Sequence, residues 1–212
     1  MKVFIDNDIA VKLARWGVLD RFHTHLVRQG NAEVFALKSL QYKFKLSDHR
    51  AAAEMVGSAI GVTQLTNFVS KVSPVKGINQ AVSTTLQNVP NIDVGEVTLF
   101  AAAANYDAIL IDTGDKKALR ALAPLARTDP LLANLLGKMS CLEQTVEYLC
   151  SRWTHAAVAS AVSTDADADR SVSQCFTTSK PAEISVALAK KVSDLNRDCA
   201  PLLASTPFAW IA

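Results

Sequence analysis

The sequence predicts an α/β protein, and two stretches plus the composition carry that prediction. Between Asp107 and Leu119, the apolar run Ile109, Leu110, Ile111 is closed by Asp112, Thr113 and Gly114. Helix-forming residues start at Lys116, so the stretch reads as a buried strand turning into a helix. Lys2 to Asp6 is a second short apolar strand, and Ile9, Leu13 and Trp16 at i, i+4 and i+7 give the helical face that follows it. At 212 residues, 50% hydrophobic and 20% charged, the chain can bury a substantial core and is too apolar for disorder.

In chain order, Gly17 interrupts the first helix, Val18 to Val27 continues as a second, and Gly30-Asn31 is a turn. Val34 to Leu37 reads as a strand, while Ser39 to Leu46 follows neither period. Asp48 to Val72 has two helical patterns, and residues 73 to 92 mix Ser, Pro, Gly and Asn as a loop or a loop with a short helix. Asp93 caps a clear helix with Val97, Phe100, Ala101 and Ala104 on one face. Lys117 to Ala126 is helical, Asp129-Pro130 opens another short helix, and Lys138 to Leu142 is the last strand. Glu143 to Ala161 reads as one helix, and Pro181 to Cys199 as a long amphipathic one with Ile184, Leu188, Val192 and Leu195 on its apolar face.

The composition narrows the function. A net charge of +2 argues against a strongly basic nucleic-acid coat but leaves room for a local basic patch. Cys141, Cys150, Cys175 and Cys199 form no C-x-x-C pair and read as reduced, buried thiols. No run is long enough to cross a bilayer, and the amino-terminal residues lack a signal-peptide pattern, so the expected place is the cytoplasm, away from membranes. His23 and His25, two apart, point to different helix faces and read as surface residues. Asp165, Asp167 and Asp169 lack the glycine and glutamate of a calcium loop and read as a solvated turn.

Three acids stand where an open parallel sheet binds ligands, at strand ends and the helix starts beside them. These are Asp6 after the first strand, Glu96 in a first helical turn, and Asp115 after the strand at 109–111. Two have a structural reading, since Asp115 and Glu96 can offset a helix dipole, worth under about 1 kcal/mol, whereas a cap does not require Asp6. Three acids brought to one edge repel unless a cation neutralises them, and an all-oxygen set suits Mg²⁺ or Mn²⁺.

VFIDND at the amino terminus, DVGEVTLFAAA around the second acid and LIDTGDKKAL with its T-x-D turn together resemble the PIN domain family of metal-dependent nucleases. The ordered match spans residues 1 to 125, with the strand at 138–142 in a closing position. The resemblance implies a three-layer α/β/α fold with a mainly parallel central sheet over residues 1–145, carrying a helical insertion at about 48–90. Residues 146–212 would form a C-terminal helical extension packed on that domain or on a partner subunit. It further implies hydrolysis of single-stranded RNA without a covalent intermediate, with Asp6, Glu96 and Asp115 as the catalytic, metal-binding acids. Many relatives carry a fourth acid; Asp8 and Asp112 are the candidates here. Lys116, Lys117 and Arg120, just behind Asp115, read either as contacts for substrate phosphates or, equally well, as solubility charges on an exposed helix. Small bacterial toxins of this family imply an antitoxin or another protein partner, and the long C-terminal helix allows a homodimer.

Two rivals use the same residues differently. Asp6-Asn7-Asp8 with Gly114-Asp115 resembles the D-x-D and G-D pieces of haloacid dehalogenase-like phosphatases, although that family's second aspartate falls on Leu119 and Glu96 has no role there. The other rival is a non-catalytic PIN-like module that binds RNA or protein.

Overall fold

In the strand Lys2–Ile5, Val3 and Ile5 enter one core and Phe4 the other. The strand Ile109–Asp112 alternates in the same way, with Leu110 on the first side and Ile109 and Ile111 on the second. Strands buried on both faces need helices on both faces, which is why uninterrupted apolar runs accompany a layered α/β/α architecture.

A computed structural model describes residues 1–211. The first half runs β1 (Lys2–Ile5), α1 (Asn7–Arg15), α2 (Leu19–Arg28), β2 (Glu33–Ala36), α3 (Ser39–Lys43), α4 (His49–Val56), α5 (Ala59–Lys71) and β3 (Ser73–Pro74). Then follow α6 (Gln80–Leu86), α7 (Val94–Ala103), β4 (Ile109–Asp112), α8 (Lys116–Thr128) and β5 (Met139–Ser140). The chain ends with α9 (Leu142–Arg152), α10 (His155–Thr164), α11 (Arg170–Ser173) and α12 (Pro181–Cys199).

The five strands form one all-parallel sheet in the order β3-β2-β1-β4-β5. The chain therefore builds outward from β1 to β3, crosses back to the other side of β1, and builds outward again. Ile5 is in register with both Ala36 and Asp112, so three strands end together beside the point where the direction of growth reverses. In open parallel sheets a crevice opens at that reversal, outside the carboxyl ends of the strands.

One layer contains α1, α2, α5 and α9; the other contains α6, α7 and α8. Helix α12 packs on α8 and α9 and serves both cores, Ile184 and Leu188 in the first, Leu195 and Cys199 in the second. The segment after it covers the outer edge of β5: Met139 N donates to Leu202 O at 3.1 Å and Ala204 N to Met139 O at 2.8 Å. An otherwise open strand edge is thereby paired.

Several expectations are corrected. Ser39–Lys43 is a short helix, and a third strand, Ser73–Pro74, hides in the stretch read as loop. The helix expected over 143–161 breaks after Arg152, and Thr154 caps a new one through Ala157 N. His23 is buried edge-on against Phe68, and His25 accepts from Trp153 Nε1 at 3.3 Å, so neither is a free surface residue. Asp165 is gripped by Arg15 at 2.7 and 2.9 Å, and Asp169 by Lys12 at 2.9 Å, which leaves only Asp167 of that acidic run solvated. All four cysteines are buried free thiols, and no helix among the described residues is long and apolar enough to cross a membrane.

Phe100 on α7 is fully buried in the second core. Phe100→Ala is expected to cost about 3–5 kcal/mol of unfolding free energy, measured by urea denaturation. A loss below about 1 kcal/mol would mean that α7 does not pack on the sheet through this ring.

Candidate functional site

The crevice at the reversal point is a cleft of about 580 Å³. Asp6, Asp8, Glu96 and Asp115 all line it, so the three acids read from the sequence and one candidate for the fourth share one cavity.

Asp6 leaves β1 and caps α1. Its Oδ1 accepts from Asn7 N at 2.7 Å and its Oδ2 from Thr113 Oγ1 at 3.2 Å, while its amide donates to Asp112 O at 2.9 Å. Thr113, at the exit of β4, also accepts from Asp115 N at 3.2 Å. A single hydroxyl thus ties the first acid to the turn that carries the third. Burial, reinforced by Asp8 and Asp93, pushes the Asp6 carboxyl up to about 6.

Glu96 closes a capping box with Asp93: its amide donates to Asp93 Oδ1 at 2.8 Å, and its Oε2 accepts from Asp93 N at 2.7 Å. Burial comes first among the causes that push Glu96 up to about 8, followed by the charges of Asp115, Asp93 and Asp6. Asp115 caps α8, its Oδ1 accepting from Lys117 N at 2.7 Å and Ala118 N at 3.0 Å. Glu96 and Asp115 therefore each commit one oxygen to a helix terminus, and Glu96 Oε1 and Asp115 Oδ2 have no donor among the described residues.

Asp8 turns toward Lys12 at 2.6 Å, and Lys12 reaches Asp169 at 2.9 Å. Burial opposes the Lys12 charge, yet the two carboxylates hold its pKa above the ordinary lysine value. For Asp169, burial likewise opposes ionisation, but Lys12 and the amide of Val172 hold the carboxyl below its usual range. Gly114 lets this wall approach, since a Cβ there would lie 1.9 Å from Asp8 Oδ2. A side chain at Gly114 would displace the Asp8 carboxylate from this position.

Asp112 lies elsewhere, which corrects its place among the candidate metal ligands. It is fully buried behind the cleft floor, accepting from Ser140 Oγ at 2.9 Å and from Thr145 Oγ1 at 2.9 and 2.8 Å. It joins β4 to β5 and α9, and burial pushes it up to about 7.

Three participants were missed in the sequence. Asp93 and Asp169 line the cleft, although the first reads only as a cap and the second as a solvated turn. Asn7 is buried on the cleft wall, and its Oδ1 has no hydrogen-bond partner. An orphaned buried acceptor calls for a ligand, and an amide oxygen beside carboxylates is a donor that a hard cation accepts. The donor types therefore fit Mg²⁺ or Mn²⁺. Among the described residues, however, no three His, Cys, Asp or Glu side chains are drawn together tightly enough to form a ready-made metal cage.

Of the cations around the cleft, Lys116 pairs with the buried Glu143 and Arg120 with Asp198 at 2.8 Å. Lys43 and Lys117 form no ion pair among the described residues.

The buried Asp112 makes a pH prediction with a definite sign. Its folded pKa of about 7 exceeds its ordinary 3.8, so the folded chain holds more protons between those values. Its contribution to stability is present in full below the lower value and is lost as pH rises through the upper one. Asp112→Asn should remove that slope, at most about 1.4 kcal/mol per pH unit, from denaturation curves collected across the window. An unchanged slope would mean that Asp112 is ionised throughout.

No protein-family model, no curated protein and no solved structure matches this chain, so the site's chemistry is argued from its own residues.

Proposed function

We propose that this chain is a Mg²⁺- or Mn²⁺-dependent ribonuclease that hydrolyses single-stranded RNA in the cleft between the ends of β1 and β4. The observation that carries the reading is the seating of Asp6, Glu96 and Asp115 in one cavity, with an unpartnered Asn7 oxygen on its wall. The ordered resemblance of the same three segments to PIN domains supports it.

Asp6, Glu96 and Asp115 would hold the cation, with Asn7 Oδ1 as a neutral oxygen beside them. When bound, such an ion lowers the pKa of a water molecule and offsets charge on a phosphodiester. The chain's own groups do the positioning. Thr113 fixes the Asp6 carboxylate against the T-x-D turn, and the two caps hold Glu96 and Asp115 in single orientations. Lys43 and Lys117, which form no ion pair among the described residues, are available to backbone phosphates. Lys12 is paired with both Asp8 and Asp169, which leaves it less available to a phosphate.

The competing reading is a binding module without catalysis, favoured by the engagement of Glu96 and Asp115 in helix caps. The phosphatase reading gives Glu96 no role and requires Asp8 to act as an acid while it is paired with Lys12.

Cleavage of labelled single-stranded RNA should require Mg²⁺ or Mn²⁺, stop in EDTA, and fall at least about a hundredfold in Asp115→Asn and Glu96→Gln, a loss typical of removing a group that stabilises the transition state. Equal cleavage by the variants would sink the assignment. RNA binding without cleavage in any metal would establish the binding module, and release of phosphate from small phosphoesters the phosphatase.

Metal uptake should also release protons. Glu96, pushed up to about 8, holds its proton at neutral pH, and a cation competes with that proton for the same oxygens. Mn²⁺ affinity measured by calorimetry should therefore rise from pH 6 to 9, with heats that depend on buffer ionisation. A flat affinity would mean that Glu96 is not a ligand.

A further inference from the structure

We infer that the segment from Lys38 to Lys45, which the sequence alone left unassigned, is a platform for single-stranded nucleic acid that leads the strand into the acidic cleft. The inference rests on the nuclease reading of that cleft only for its direction.

The segment follows β2, whose carboxyl end lies beside that of β1. It is anchored at both ends, by Leu40, fully buried, and by Leu46, nearly so. Its turns are bonded: Lys45 N donates to Tyr42 O at 3.2 Å, Leu46 N to Gln41 O at 3.0 Å, and Asp48 N to Lys45 O at 2.8 Å. On this fixed base Tyr42 is 67% exposed, Lys38, Lys43 and Lys45 are all exposed, and Phe44 turns partly inward against the first core. Three exposed lysines around one exposed aromatic ring have the character of a strand-binding surface, where cations track phosphates and a ring stacks on a base.

Charge and shape agree on the occupant. Among the described residues none of the three lysines has a carboxylate partner, although other lysines at this end of the molecule, Lys12 and Lys116, do. Two cavities of about 300 and 440 Å³ flank the segment and share Gln41 as a wall, with Tyr42 lining the first and Lys38 the second. No acidic residue lines either one, and Val69, Val72 and Val75 supply apolar surface. Lys43 and Phe44, in the same segment, line the acidic cleft, and Leu37 is shared between that cleft and the larger flanking cavity. The basic surface thus borders the acids, and a polyanion whose bases present flat π faces complements both the lysines and the exposed Tyr42 ring.

The test is fluorescence anisotropy with a fluorescein-labelled single-stranded RNA of mixed sequence, in EDTA so that no cleavage intervenes. Tyr42→Ala should weaken binding about five- to a hundredfold, and Tyr42→Trp should retain it. Removing Lys38 and Lys45 should lower the slope of log affinity against log salt by about 0.7 for each lysine. Binding of the same RNA as a duplex, whose bases stack internally, should be insensitive to Tyr42→Ala. Because these side chains are exposed, unchanged circular dichroism melting would exclude misfolding as the cause. Wild-type affinity in every variant, or a preference for poly-glutamate over RNA, would overturn the platform. If Asp115-dependent cleavage persists while these variants bind normally, the platform falls and the nuclease reading stands. If the variants lose RNA but the chain cleaves nothing in any metal, the platform stands and the nuclease reading falls.

Discussion

The hydrogen-bonded junction between Asp6 and Thr113 holds the functional end of this molecule together. β1 and β4 lie side by side only because the chain reverses its direction of growth across the sheet, and 107 residues separate the two partners. Once the strands are in register, the Asp6 amide meets Asp112 O and the Thr113 hydroxyl meets the Asp6 carboxylate. The T-x-D turn is then locked in place: Thr113 receives Asp115 N, and Gly114 makes room for Asp8. The cleft follows from this junction, since a parallel sheet leaves open space beyond the strand ends at such a reversal.

Helix capping and ligand binding prove compatible in this cleft. A carboxylate has two oxygens, and a cap needs one. Glu96 commits Oε2 to its capping box and Asp115 commits Oδ1 to the start of α8, while the other oxygen of each has no donor among the described residues. The caps also lower the entropic cost of holding these side chains in place, because a capped carboxylate is already confined to one orientation. The same geometry concentrates negative charge in a poorly solvated cavity, and the high pKa values of Asp6 and Glu96 express the resulting cost. Lys12, set between Asp8 and Asp169, offsets part of the negative charge that lines the cleft.

The succession of strands and helices was legible because it rests on local patterning, whereas the three layers entered only through the resemblance to PIN domains. The unbroken apolar runs of β1 and β4, the 3.6-residue pattern of α1 and α12, and the Asp93 cap all depend on neighbours within a few residues. β3 escaped notice because two residues, one of them proline, carry no period, and their pairing with Phe35 and Ala36 is supplied by β2. The break between α9 and α10 hangs on one threonine cap that composition alone does not distinguish from a helix interior.

The sequence by itself determined which residues were acidic, which of them stood at strand or helix ends, and that short buried strands alternate with helices. The tertiary structure decided which acids share a cavity. It moved Asp112, one residue before the turn, behind the floor to meet Ser140 and Thr145, and it brought Asp169 from the far end of the chain to Lys12. The physical reason is that side-chain direction alternates along a strand, while partners across the fold are chosen by packing. A one-residue step reverses the face that a carboxylate presents, and no local pattern records what waits on the other side.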